Sequence, residues 1–400
     1  MLDTIDAPEG KPLDDVLAGI AVIDVDTHLT EPHDLWTARA PAKWRDRVPQ
    51  VKLIDGVRTW VIDGDTIMGR AGPASSIRRN GEKSDGIGFM DYEIEDVHVG
   101  SYSVKERLDM MDETGIYAQI VYPNVLGFGG QRASTVDPDV RLIATQLYND
   151  FSAEMQEASG GRLYPMALLP WWDMKETLKE IDRCHKMGLR GVNTNADPQN
   201  NGLPDLGTEH WYPMWERVSD LGLPVNFHIG ASDESMTWFG TGPWASESLE
   251  KRLVVGSSLM SLSNVKVMAN FIVSGVLERF PKLNLVSVES GIGWIPFLFD
   301  TLDYCFDQVG AVARAKLTMS PEEYFRRQIY GCFWYESKGL EHLFERVGAD
   351  NIMFETDYPH PACLYPNPLD AMAKSLAGIP YETRRKVMGG NASRVYNIPL

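Results

Sequence analysis

Eight short apolar runs punctuate the chain, and most of the intervals between them have helical spacing. The runs begin at Ala21, Ala118, Tyr164, Arg190, Pro224, Asn284, Ile329 and Ile352. Apolar residues recur every three to four positions from Ser103 to Glu113, Asp137 to Ala158, Met174 to Met187, Trp211 to Leu221, Val265 to Phe280, after Trp294, and from Leu340 to Val347. Ser103 and Glu106 have capping-box spacing, and Gly188 and Gly222 stand where helices need a left-handed terminal residue. Strand–helix alternation of this kind builds a parallel sheet. Its length favours a closed α/β barrel of the TIM (β/α)8 type over an open doubly wound sheet. No Gly-x-Gly-x-x-Gly follows the first run, which weighs against dinucleotide binding.

Three segments break the alternation. Residues 1–20, with Pro8, Gly10 and Pro12, read as an N-terminal arm. Residues 21–397 then form one barrel with insertions at 31–100 and 231–263. In the first insertion, the apolar residues of 57–62 and 66–68 flank Asp63-Gly64-Asp65, a hairpin signature. Ala71 to Gly88 is rich in Gly, Ser and charge and reads as a mobile loop able to act as a lid.

Composition narrows the function. The 400 residues are 44% hydrophobic, ample for one large core. A net charge of -18 argues against nucleic acid and anionic membrane surfaces, but a local cation can still favour an anionic small molecule. Cys184, Cys305, Cys332 and Cys363 include no Cys-x-x-Cys pair, as suits a reducing compartment. The N-terminus lacks an apolar signal segment, and no apolar run could span a bilayer. The expectation is a soluble cytoplasmic protein.

The candidate chemistry sits at strand ends. Asp24, Asp26 and His28 share one face by the two-residue period of a strand, so all three are expected to point into the barrel. His228, followed by Ile229-Gly230, ends the fifth run. Glu289 ends the sixth, and Asp357 follows the last, three residues before His360. A lone strand-end histidine is more often structural, and a buried carboxylate is costly unless paired or metal-bound. As a set, Asp26, His28, His228, Glu289 and Asp357 point to a divalent-metal site at the barrel mouth. Asp357 and His360 are candidates for moving a proton. Trp171, Asn195 and Trp334 are candidate substrate contacts, although packing and turn formation account for them equally well. Asn193 follows the fourth run, and Glu31 and His33 could support the ligands from behind.

The stretches Val22–Pro32, Arg190–Val192, Phe227–Gly230, Gly275–Pro281, Glu289–Trp294, Thr356–His360 and Gly390–Tyr396 together resemble the amidohydrolase superfamily. More closely, they resemble its amidohydrolase-related branch, which is like aminocarboxymuconate-semialdehyde decarboxylase. The resemblance covers most of residues 21–397. It implies a distorted TIM barrel with Asp26, His28, His228 and Asp357 as metal ligands. Two positions depart from the pattern. Asn193 stands near the place of a metal-bridging lysine, and Glu289 stands where decarboxylases of the branch usually carry histidine.

The second departure divides the functional expectations. A glutamate donates a proton near neutrality only if burial raises its pKa, but it can bridge two metal ions. The oxygen-rich ligand set is similar to that of dinuclear iron or iron/manganese oxygenases of this fold, such as 2-aminoisobutyrate hydroxylase, which pairs two related subunits. The first expectation is therefore an oxygenase acting on a small organic acid and served by an external reductase. The alternative is a nonoxidative decarboxylase or hydrolase using one zinc or manganese ion. A third is a non-catalytic barrel subunit of a heteromeric enzyme. An oligomer, including one with a related barrel subunit, is expected in each case.

Overall fold

Runs such as Val22–Ile23, Leu285–Val288 and Ile352–Phe354 are apolar at nearly every position, so as strands they need cover on both faces. A computed structural model, which describes residues 13–238 and 244–400, supplies that cover. β1 (Val22–His28) is followed by β2 (Gln50–Ile54), β3 (Val57–Ile62) and β4 (Thr66–Arg70), which form a separate antiparallel sheet. Then come β5 (Ile116–Tyr122), β6 (Leu163–Pro165), β7 (Ala167–Leu168), β8 (Val192–Asn193), β9 (Val225–His228), β10 (Leu285–Val288), β11 (Ile329–Phe333) and β12 (Ile352–Phe354). These pair in parallel with β1 as two arcs, β1-β5-β6 and β7-β8-β9-β10-β11-β12. β6 and β7 are separated only by Met166, whose N–H donates to Val121 of β5 (2.9 Å). At the other seam, the Asp357 N–H donates to the Asp26 carbonyl (2.9 Å) and the His28 N–H to the Tyr358 carbonyl (2.8 Å). The arcs are thus continuous through Met166 at one end and bridged by hydrogen bonds at the other, and the architecture is the TIM-barrel-like α/β fold expected.

Alternating side chains divide the core in two. Ile23, Val25, Ala118, Ile120, Met166, Val286, Val288, Cys332 and Met353 form one buried cluster, joined from the C-terminal segment by Val395 and Tyr396. Val22, Val121, Leu163, Val192, Phe227, Leu285 and Phe354 pack instead with residues of the helical layer such as Ile181, Trp215 and Phe271. The antiparallel sheet has its own small core, where Trp36 meets Trp60 edge-on (5.5 Å) and donates to the Ala144 carbonyl (2.9 Å).

Several expectations need correcting. The first insertion contains the hairpin, β3 and β4, but also β2, whose mixed residues gave no clear alternation. The stretch from Ala71 to Gly88 is not a free loop. Ser75, Ser76 and Ile77 are buried, Ser76 N–H donates to the Pro359 carbonyl (2.9 Å), and Lys83 donates to the Cys363 carbonyl (2.5 Å). It is a strap fastened beside His360. Ser103 and Glu106 bond to each other through their side chains rather than to backbone N–H groups. The helix expected from Val265 begins at Leu249 and runs to Ser274, where Gly275 (φ 82°) ends it. That helix absorbs the end of the second insertion. Within that insertion, 239–243 lie outside the described residues, as do residues 1–12 of the expected arm. Leu13–Val16 is helical, and Arg384 donates to the Val16 carbonyl. Among the described residues, no helix is long and apolar enough to cross a membrane.

The C-terminal segment presses on the base of β1. A Cβ at Gly389 would stand 2.1 Å from the Ala21 carbonyl oxygen, against backbone that cannot swing aside. Gly389→Ala should therefore destabilise the protein by about 3 kcal/mol, the upper range for overpacking. A Gly378→Ala control, with nothing within 4 Å of the new Cβ, should leave the denaturant midpoint almost unchanged.

Candidate metal centre

The end of β1 places the first two candidates, through a device that the two-residue period does not show. Asp24 pairs with Gln119 of β5, but the next partners are Thr27 and Val121, so β1 carries an extra residue there. The bulge shifts the alternation. Ile23 and Val25 join the inner cluster, while Asp24 turns the other way. Its carboxylate accepts from the Thr356 N–H (2.8 Å), the Thr356 hydroxyl (2.6 Å) and the Gln119 amide (3.1 Å). It also accepts from the Asp26 N–H (3.3 Å), so Asp24 is a clasp between the first and last strands and does not join the Asp26 and His28 side chains in the cluster. Past the bulge, Asp26 Oδ1 lies 3.5 Å from His28 Nε2 and 3.3 Å from His228 Nε2. Arg107, fully buried, donates to the His28 carbonyl (2.5 Å) and lies over the Tyr358 ring (4.5 Å).

The other strand ends converge on the same point. His228 Nε2 is 3.2 Å from His28 Nε2 and 3.5 Å from Glu289 Oε2, and its Nδ1 is 2.7 Å from the Ile229 carbonyl. Asp357 Oδ1 is 3.7 Å from His28 Nε2 and 3.0 Å from His360 Nδ1. Glu289 and Asp357 both leave their strands in the left-handed region, at φ 54° and 61°, a strained state for residues with a Cβ. That twist turns each carboxylate inward. Three overlapping triads have ligand atoms within 4.8 Å of one another: Asp26–His28–His228, His28–Asp357–His360 and Asp26–Glu289–Asp357.

The electrostatics are those of a crowded acid cluster. Burial, with Asp357 nearby, pushes the Glu289 carboxyl well above its ordinary range. Burial and the Asp26 charge do the same to Asp357. Burial lowers the His28 imidazole, with His360 and His228 adding to the effect. It also lowers His360 to about 4. Burial works against a charged His228 as well, but Asp26 and Glu289 outweigh it and hold this imidazole up to about 9. Both carboxylate oxygens of Asp26 and both of Asp357 are buried yet receive no well-formed hydrogen bond. Buried carboxylate oxygens are almost always hydrogen-bonded or metal-bound, so this donor set fits a divalent cation.

Reading strand ends therefore brings together Asp26, His28, His228, Glu289, Asp357 and His360. It does not bring in the three proposed substrate contacts. Trp171 is buried, donates to the Gly129 carbonyl (3.0 Å) and braces that loop. Trp334 is buried edge-on to Tyr335 (4.5 Å), and Asn195 accepts from the Asp197 N–H (2.8 Å), as in a turn. Asn193 donates to the Phe128 carbonyl (3.2 Å). Three neighbours went unread. Phe128 packs on the rings of His228 (4.2 Å) and His28 (5.1 Å). Glu355 accepts from the Glu289 N–H (3.1 Å), and Asn124 reaches His360 Nε2 (3.1 Å). Asn124 and Glu355 each lie within two residues of a strand terminus, where the same rule would have found them.

This is a metal-competent centre at the C-terminal ends of barrel strands, the position of active sites in barrel enzymes. The amidohydrolase family pattern matches residues 23–398, and the chain belongs to that family of enzymes. It is 25% identical over 314 residues to gamma-resorcylate decarboxylase from Polaromonas sp. (strain JS666 / ATCC BAA-500), covering 73% of this chain and 86% of that one. It is 22% identical over 270 residues to 2-amino-3-carboxymuconate-6-semialdehyde decarboxylase from Caenorhabditis elegans, covering 56% and 64%. An amidohydrolase from Mycobacterium avium subsp. paratuberculosis K-10 superposes with a TM-score of 0.74 at 24% identity, over 94% of this chain and 99% of that one. The dihydroxybenzoic acid decarboxylase of Polaromonas sp. JS666, solved with bound manganese, superposes with a TM-score of 0.59 at 18% identity, over 94% and 97%.

The backbone strain at Glu289 has a measurable cost. Glu289→Gly relieves the left-handed conformation and removes a carboxyl from the cluster. In chelator-treated protein it should raise stability by about 1–2 kcal/mol. A lower denaturant midpoint than wild type would contradict this account of the cluster.

Proposed function

We propose that this protein is a divalent-metal-dependent, nonoxidative decarboxylase of a small aromatic carboxylic acid. The observation that carries this reading is the set of unbonded Asp26 and Asp357 oxygens facing His28 and His228. The decarboxylases among the relatives support the choice of reaction. Asp26, His28, His228 and Asp357 would hold the cation. When bound, it supplies positive charge that orients the substrate carboxylate and a neighbouring oxygen.

Decarboxylation breaks the bond between the ring carbon and its carboxylate. The electron pair stays on carbon, CO2 leaves, and one proton takes its place. The chain must therefore hold a proton at neutral pH, and the expected histidine after β10 is Glu289. The raised pKa of this carboxyl meets the condition for a glutamate donor. In this reading Glu289 protonates the ring carbon, His360 exchanges a proton with Asp357, and Phe128 keeps water from the His28 and His228 rings. No redox partner is needed.

A second reading, the dinuclear iron or iron/manganese oxygenase, rests on one specific observation. Glu289 faces the cluster and shares a triad with Asp26 and Asp357, so it could join two ions. None of the relatives described above is an oxygenase, which places this reading second. Two measurements separate them. The first reading predicts about one manganese or zinc per chain and equal CO2 release from hydroxybenzoic acids with and without oxygen. About two iron-containing ions per chain and oxygen uptake that requires reductant would favour the second.

Two further outcomes are expected. Asp357→Asn should lower turnover by at least about 100-fold. Binding of Zn2+ should tighten as pH rises towards 9, because a cation must displace the proton that the Asp26 carboxylate holds on His228. That proton alone gives about tenfold per pH unit below 9, readable by competition with a chromogenic chelator. A pH-independent affinity would remove His228 from the ligand set.

A further inference from the structure

We infer that the outer face of the long helix Leu249–Ser274 is the contact through which two copies of this chain associate, antiparallel about a twofold axis at Ser258. That helix has 26 residues and is about 39 Å long. Its buried residues include Gly256, Met260, Val267 and Phe271, which lie along one side. On the opposite side, spacings of three and four bring Lys251, Val254, Ser258, Leu262 and Val265 into one stripe. Val254 is 68% exposed and Leu262 54%. A surface helix turns polar residues outward, so apolar side chains at the centre of the outward stripe mark a contact.

Charge identifies the partner as a second copy. The chain carries a net charge of -18, so two copies repel unless they meet where neither is charged. From Leu253 to Val265 this helix has no charged residue. At its flanks, Lys251 is paired with Glu247 (2.8 Å), and Lys266 with Asp197 and Glu234 (2.8 Å each), all within the same chain. A strongly basic or acidic partner finds nothing on the stripe to pair with. A twofold contact must also be self-complementary. An axis through Ser258 sets Val254 against Leu262 of the second copy, Val255 against its Ser261, and the aliphatic stem of Lys251 against its Val265. Apolar groups therefore meet on both sides of the axis, and the small serine at the centre lets the helices approach. Its hydroxyl already donates to the Val254 carbonyl (2.7 Å), so burial leaves no donor unpaired.

A competing face lies on the helix Ile295–Val309, which packs beside this one. There Phe297 and Tyr304 are about two-thirds exposed. Asp300 and Asp307 follow them at three residues' distance, with side chains 76% exposed. A symmetric contact through that helix would bury these carboxylates, even with Arg346 and Arg314 close by, at a cost that the uncharged stripe avoids. Cys305 is exposed on the same helix and serves as a reporter for this alternative.

Sedimentation equilibrium of the full chain should show a dimer at micromolar concentration. Replacing both Val254→Asp and Leu262→Asp should raise its dissociation constant at least about 100-fold, with the far-ultraviolet circular dichroism unchanged. In a Cys305→Ser background, Ser258→Cys should give a disulfide-linked dimer on mild oxidation, because a residue on the axis comes within bonding reach of its own copy. Val273→Cys, exposed on the same helix but about 22 Å along it, should stay reduced. The Ser258→Cys result carries the test if the aspartate variant fails to fold. A monomer at every concentration overturns the inference, and so does a dimer that the two aspartates leave intact. A disulfide dimer formed through Cys305 in the unaltered chain also overturns it, assigning the contact to the helix Ile295–Val309. Linkage at position 273, or none at 258, removes the twofold axis at Ser258 and the inference with it.

Discussion

Mutual repulsion among buried carboxylates governs the mouth of this barrel. Asp26, Glu289 and Asp357 each help to raise the pKa of at least one other carboxyl of the group, and all three raise that of Glu355. In a medium of low polarizability such charges cannot all persist unless protons or a cation intervene. The protein meets this with local devices: a bulge in β1, left-handed residues after β10 and β12, and Glu355 gripping the Glu289 N–H. Each holds a carboxylate where its own energetics oppose it. The clasp of Asp24 on Thr356 and the buried Arg107 then supply the stiffness that the arrangement needs.

Much of this was legible in the chain. Long amphipathic helices and apolar runs announce themselves through periodicity, and strand-end ligands stand out because apolar runs rarely finish in acid or imidazole. What stayed hidden has physical causes. The orientation of Asp24 depends on a bulge, which leaves no mark on a two-residue pattern. β2 is half-exposed, so its residues need not alternate. The strap from Ala71 to Gly88 has the composition of a free loop, and only its contacts with Pro359 and Cys363 reveal that it is fixed. Trp171 looked like a pocket wall because its place near a strand end says nothing about where its ring points.

Glu289 shows how one substitution in a family pattern is read differently once its surroundings are known. In sequence it favours a metal bridge over a proton donor, because a free glutamate is ionised at neutral pH. Inside the cluster, burial and the Asp357 charge raise its pKa. The same side chain can then keep a proton as an imidazole would. The chemistry allowed at this position is set less by residue type than by the charges packed around it.

The seam between the two ends of the barrel has a consequence in time. Asp24 and Thr356 are separated by 332 positions, yet their hydrogen bonds close the sheet beside the metal-facing atoms. On the ribosome, β1 and the strands after it emerge long before Asp357 does, so Asp26 and His28 have no complete partner set until the segment after β12 has been made. A nascent or truncated chain could hold a cation only through a partial ligand set. Completion of the centre thus reports that synthesis has reached the last strand and that the first strand has found it.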